Sequence, residues 1–231
     1  MLLRASIFLL LLPSLVSSIF IKEPYGASDS ESRERSYSAG RRYKAYGGGG
    51  RPPTCEEGWT FFQRPSGGWC MKVYPGNLNQ YNSETMCVSK GAVLSGLQNI
   101  AEINWLISSA LTAIAPQTSG GVWVGARRRP ECIGHGITAT CTKTNTFYWT
   151  DNSTTGIEGM IFQEGEPNNR PAPQNCALMT VATTPRIHAL SYYYSGQMDD
   201  MICERADASW WPSSTLSRSN RAYVCGKKAR R

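Results

Sequence analysis

A chain of 231 residues with 41% apolar and 18% charged residues, eight cysteines and only two histidines has the make-up of a disulfide-bearing globular protein. Its formal charge of +7 sits at the ends: residues 19–54 carry +3, Lys227, Lys228, Arg230 and Arg231 carry +4, and the span 55–226 sums to −1. That placement speaks against a basic nucleic-acid-binding fold.

Residues 1–18 set Arg4 ahead of the apolar run Ile7–Leu12 and close on Val16, Ser17 and Ser18, the layout of a cleavable secretory signal peptide. The run is far shorter than the ~20 residues of a spanning helix, so no transmembrane segment is expected. A secreted, extracellular chain folds under oxidising conditions, where its cysteines read as disulfides. Residues 19–54 are Ser, Arg, Glu, Tyr and Gly without apolar period, ending in Gly47-Gly48-Gly49-Gly50-Arg51-Pro52-Pro53. Such a segment buries too little to offset chain entropy and is expected to be a flexible, low-complexity stalk.

The folded part opens at Cys55. Gly58–Phe62 and Gly68–Tyr74 are aromatic, β-favouring runs around Pro65-Ser66-Gly67, which predicts a hairpin with Cys55 and Cys70 near its two ends. A short helix is expected from Ser83 to Val88, ended by Gly91, with Cys87 facing inward beside Met86 or Val88. A second begins at Asn99, with Glu102 completing a capping box, and carries Ile100, Ile103, Ile107, Leu111 and Ile114 as its core stripe before Pro116. Gly121–Gly125 then predicts a buried strand in which Trp123 packs.

Arg127-Arg128-Arg129 reads as a solvated turn, with an acidic sugar or phosphate site as the sharper alternative. Cys132 and Cys141 enclose eight residues and are the nearest consistent pair. His135 lies between them, but one His in such a loop points to a disulfide rather than to zinc. Phe147-Tyr148-Trp149 is a strand, and Asn152-Ser153-Thr154 after it is an acceptor sequon for glycosylation at Asn152.

From Gly156 to Gln174 the chain is rich in Gly and Pro and has no period, the kind of long loop in which binding residues gather. Within it, Glu166-Pro167-Asn168 holds a carboxylate and a carboxamide on either side of a proline whose peptide bond can be cis. Asp199-Asp200 adds two carboxylates ahead of Cys203. Oxygen-only ligands suit Ca²⁺ over metals that seek His or Cys, and the same groups can address a sugar diol. The competing reading of Pro-Asn-Asn is an ordinary surface turn. Strands at Cys176–Met179 and Ala222–Gly226 complete the chain.

The order of these pieces resembles the C-type lectin-like domain family over residues 55–227, with 228–231 left as a basic tail. The resemblance rests on the Cys55/Cys70 hairpin of the long form, Cys87 in the first helix, Val122-Trp123-Val124-Gly125, Phe147-Tyr148-Trp149-Thr150-Asp151, Glu166-Pro167-Asn168, Cys176, Asp200-Met201-Ile202-Cys203 and Tyr223-Val224-Cys225. The additional Cys132/Cys141 loop looks like secreted nematode members of the family. It implies an α+β C-type lectin-like fold of two short helices on small antiparallel sheets, stapled by Cys55–Cys70, Cys87–Cys225, Cys176–Cys203 and, by what remains, Cys132–Cys141. It also implies Ca²⁺ held by Glu166, Asn168, Gln174, Asp199 and Asp200, and a mannose-type sugar on Glu166, Asn168, Asp199 and Asp200. Gln174 stands where the family has Glu, Asp199 where it has Asn, and Met198 where it has Trp. These two ligand swaps conserve charge, but Asp199 lacks the N–H donor of an amide.

The expected function is therefore calcium-dependent recognition of mannose-type glycans by a secreted protein of innate defence. The alternative is a calcium-independent lectin-like module for a protein or microbial-surface partner. An enzyme is disfavoured: His135 and His188 stand in no nucleophile motif, and Asp199 and Asp200, as strand neighbours, are expected to face opposite ways.

Overall fold

The computed structural model describes residues 52–185, 193–206 and 219–230. The expected signal peptide, the stalk through residue 51 and His188 lie outside them.

The hairpin forms as its sequence dictates. Strands β1 (Thr60–Arg64) and β2 (Gly67–Pro75) pair antiparallel, and Gly67 at φ 118 occupies a conformation that a side chain would resist. Strand β8 (Asn220–Lys228) lies antiparallel on β2 and parallel to β4 (Ser119–Arg128), which is followed by β6 (Cys176–Ala182) and β7 (Met198–Met201). The short strands β3 (Val93–Leu94) and β5 (Phe147–Trp149) join at β8 and β4. The strands expected as separate antiparallel sheets are thus one mixed sheet, because β8 returns between the first hairpin and β4. Pairing also outlasts β8: Ala229 N–H donates to Gly68 O, and Thr54 and Arg230 exchange two backbone bonds of 2.8 and 3.0 Å.

Helix α1 (Gln80–Val88) begins earlier than Ser83 because Asn79 caps it, accepting from Asn82 N–H. Its buried positions are Gln80, Ser83 and Cys87, so Met86 and Val88 face solvent rather than flanking Cys87 inside. Helix α2 (Ile100–Ala113) is capped by Asn99 as expected. Its inward face centres on Ile103, Leu106 and Ala110, with Ile107 and Leu111 half-buried and Ile100 exposed. Core lies on both faces of β4: Val122, Val124 and Ala126 pack with the α2 side, and Trp123 with Cys87, Leu94 and Tyr223 on the other. Trp123 is a packing residue, its Nε1–H spent on Leu78 O at 2.7 Å.

A buried cation ties the elements together. Arg64 donates to both Glu102 oxygens at 2.9 and 2.7 Å and to Asp151 Oδ2 at 3.0 Å, and its guanidinium lies over Trp69. The reciprocal bond of the expected capping box is displaced by one residue: the Glu102 carboxylate accepts from Gln98 N–H at 2.8 Å rather than from the Asn99 N–H. Burial opposes ionisation of Asp151, yet N–H bonds from Thr154 and Ser153, the Thr154 hydroxyl and Arg64 hold its carboxyl below the usual range. The four disulfides are Cys55–Cys70, Cys87–Cys225, Cys132–Cys141 and Cys176–Cys203, the pairing implied by the resemblance.

Candidate functional site

The site forms where the irregular loop crosses the free edge of β7. Phe162 bridges Met198, Met198 N–H donates to Ile161 O and Gln163 N–H to Met198 O, so residues 161–163 run beside β7. A tight turn, Glu166 N–H to Gln163 O, then carries Glu166 over the strand, and the Glu166–Pro167 peptide is cis. One ligand oxygen each of Glu166, Asp199 and Asp200 lies within 4.8 Å of the other two. Strand alternation alone would have separated Asp199 from Asp200; at the edge of a four-residue strand, both reach the side the loop covers.

Backbone and amide donors hold this loop. Asn168 N–H lies 2.9 Å from Glu166 Oε2 and 3.0 Å from Asp200 Oδ1, Asn169 N–H donates to Asp200 Oδ2 at 2.8 Å, and Asn168 Nδ2 donates to Glu166 Oε1 at 2.9 Å. Asn168 Oδ1 accepts from Arg170 N–H, and Asn169 Oδ1 from Gln174 N–H. The Cys132–Cys141 loop presses on this arrangement from outside. A Cβ on Gly136 would stand 2.6 Å from Asn168 O, so the close approach requires glycine.

Arg128 is the residue the sequence reading missed. It is buried, not solvated: its guanidinium pairs with Asp200, donates through Nε to Gln174 O at 2.9 Å and through Nη1 to His135 O at 2.7 Å, and lies over Phe147. The signal was present in β4, where Val122, Val124, Ala126 and Arg128 follow the period-2 inward face. Arg127 and Arg129 are more exposed and rest against Tyr81 and Tyr148.

Glu166, Asp199 and Asp200 bring three carboxyl groups together in a buried site. Burial, with Asp199 and Asp200 close by, pushes the Glu166 carboxyl up to about 9. Burial also raises Asp200, against the pull of Arg128 and the Asn169 N–H, and it lowers Arg128. Gln174, beside Arg128, keeps its buried Oε1 without a hydrogen-bond partner. An all-oxygen donor set suits a hard divalent cation. Of the five residues expected as ligands, Glu166, Gln174, Asp199 and Asp200 are buried and Asn168 alone is half-exposed. His135 contributes only its carbonyl, and both neighbouring cysteines are in a disulfide, which leaves no zinc set there.

A family model described as C-type lectin domain-containing protein 141/158 matches residues 60–228. The chain belongs to the C-type lectin domain family. Several solved structures are similar to much of this chain. The cow CD23 C-type carbohydrate-recognition domain, determined in the presence of GlcNAc2Man3 oligosaccharide, is 21% identical, with 78% of this chain and 99% of that one covered at a TM-score of 0.48. The mouse scavenger receptor C-type lectin carbohydrate-recognition domain is 17% identical over 77% and 98%, at 0.45. A calcium-independent type II antifreeze protein is also 17% identical, over 78% and 98%, at 0.45. No curated protein matches. In this C-type lectin domain no helix among the described residues is long and apolar enough to cross a membrane.

Proposed function

We propose that this C-type lectin domain binds Ca²⁺ through Glu166, Asp199 and Asp200, with Asn168 and Gln174 as neutral oxygen donors, and presents it to a mannose-type glycan. The observation that carries the reading is the convergence of the three carboxylates within 4.8 Å beside a half-exposed Asn168. Ca²⁺ accepts 6–8 oxygens, so five side chains leave room for sugar hydroxyls. Ca²⁺ neutralises the carboxylates and supplies coordination to vicinal hydroxyls; Asn168 adds an amide that donates and accepts toward the same sugar. Binding one sugar at ~1 mM corresponds to only about −4 kcal/mol, so function rests on clustered ligands.

The same reading takes residues 1–18 as the signal peptide of a secreted protein, 19–54 as a stalk, Asn152 as a glycan acceptor, and innate defence as the setting. Asn152 is exposed at a turn with φ 55, in reach of a glycan. A second reading, calcium-independent recognition of a protein or surface partner, draws on Arg128, which already gives Asp200 a cation. Immobilised mannan separates the two: retention that EGTA abolishes and Asn168→Ala removes supports the first, and partners retained equally in EGTA support the second.

A further inference from the structure

The C-terminal lysines and arginine are not a loose tail. Pairing of Ala229 with Gly68 and of Arg230 with Thr54 fixes them beside β2, where they line a cleft of about 360 Å³ with Lys90 from the end of α1. Three ammonium groups here lie against aromatic faces. Lys227 sits 4.1 Å from the Trp59 ring centroid, and Lys72 and Lys90 lie 5.4 and 4.9 Å from that of Tyr74. Trp59, Tyr74 and Tyr223 themselves form a packed ridge, edge-on at 6.3 Å and then stacked at 5.6 Å. Cation–π contact holds each ammonium in place while leaving N–H donors for another ligand.

Glu56 opposes these charges, pairing with Lys227 at 2.8 Å and with Arg230; exposed Glu57 follows it in the chain. Against Glu56 the cleft sets Lys90, Lys227, Lys228 and Arg230, an excess of three positive charges, none of them buried.

We propose that this cleft is a second binding site, for the sulfate groups of an acidic polysaccharide. An open row of half-exposed cations suits several anions along a chain better than one enclosed ion. The ring faces that could stack on nucleobases are covered by lysines. The cleft lining offers no exposed large apolar side chain to enter a bilayer. The site shares no residue with the carboxylate cluster and needs no metal.

The test is fluorescence anisotropy of the full chain with labelled heparin in EGTA, which silences the proposed calcium site, over a range of NaCl. Saturable binding is expected, with log affinity falling linearly in log salt as counterions are released. Lys90→Gln/Lys228→Gln should weaken it ~10-fold and lower the slope by roughly two, whereas Arg205→Gln, an equal-sign change outside the cleft, should leave it unaltered. Near-UV circular dichroism checks that the double variant keeps its packing. Equal affinity of the double variant, or equal binding of desulfated heparin, overturns the proposal. So does displacement of heparin by RNA or by phosphatidylserine vesicles at lower charge concentration.

Discussion

Replacing Glu166 with Gln should flatten the pH dependence of stability in the calcium-free protein. In the folded chain the Glu166 carboxyl holds its proton up to about 9, against an ordinary value of 4.5, because it is buried and faces Asp199 and Asp200. Between those values the folded state keeps a proton that the unfolded chain has released. Stability from this group is therefore complete below about 4.5 and is lost as pH rises toward 9, with a slope of at most about 1.4 kcal/mol per pH unit. From pH 6 to pH 8 the wild type should lose up to about 3 kcal/mol relative to Glu166→Gln, which is neutral throughout; this corresponds to roughly 5–10 °C in Tm. Gln keeps an oxygen for the Asn168 amide, so the bond at 2.9 Å survives. Thermal melts of both proteins in EGTA at pH 5–9 give the comparison, and the difference between them subtracts other titrating groups. Saturating Ca²⁺ should remove the wild-type decline by taking the place of the proton. Parallel melting curves across the range would refute the buried-carboxylate argument.

Arg64→Met removes the only cation bonded to Glu102 and Asp151 among the described residues and should cost about 3–5 kcal/mol in urea melts; under 1 kcal/mol would show that the network is not structural. Gly136→Ala forces the Cys132–Cys141 loop off Asn168 O and should weaken Ca²⁺ binding several-fold with a melt shifted by less than about 1 kcal/mol, and unchanged binding would remove that loop from the site. Asn152→Gln should shorten the secreted protein's mass by one N-glycan, and no mass change would mean that the sequon is unused.

The fold was legible because its signals are redundant. Cys87, Cys176 and Cys225 lie on α1, β6 and β8, Cys203 follows β7 by two residues, and Asn99 marks its helix without ambiguity. Local pattern failed where tertiary contacts decide. Ser83 looks like a cap, yet Asn79 serves, because α1 extends back to Gln80, whose N–H bonds Cys203 O. Ile100 looks like core, but Glu102 must turn inward to Arg64, and this rotates the apolar face to Ile103, Leu106 and Ala110.

The candidate site divides in the same way. Glu166, Asn168, Asp199 and Asp200 could be named because a carboxylate and a carboxamide flanking a proline in a long loop, and two adjacent carboxylates ahead of Cys203, carry their chemistry in their type. Arg128 could not be separated from Arg127 and Arg129 without knowing that β4 runs three residues beyond Gly125. Alternation likewise predicted that Asp199 and Asp200 diverge, since nothing in the sequence says that the loop at 161–163 pairs with β7 and closes over both.

The most direct measurement is Ca²⁺ titration of the full chain by calorimetry beside Asp199→Ala, which removes both oxygens of that side chain together with its charge. The account predicts saturable heat in the wild type, with a dissociation constant on the order of 10⁻⁴–10⁻³ M, and its loss in a variant that still melts cooperatively. Absence of heat in the wild type, or the same isotherm in both proteins, would contradict it and leave the carboxylate cluster as a proton-sharing element of the fold.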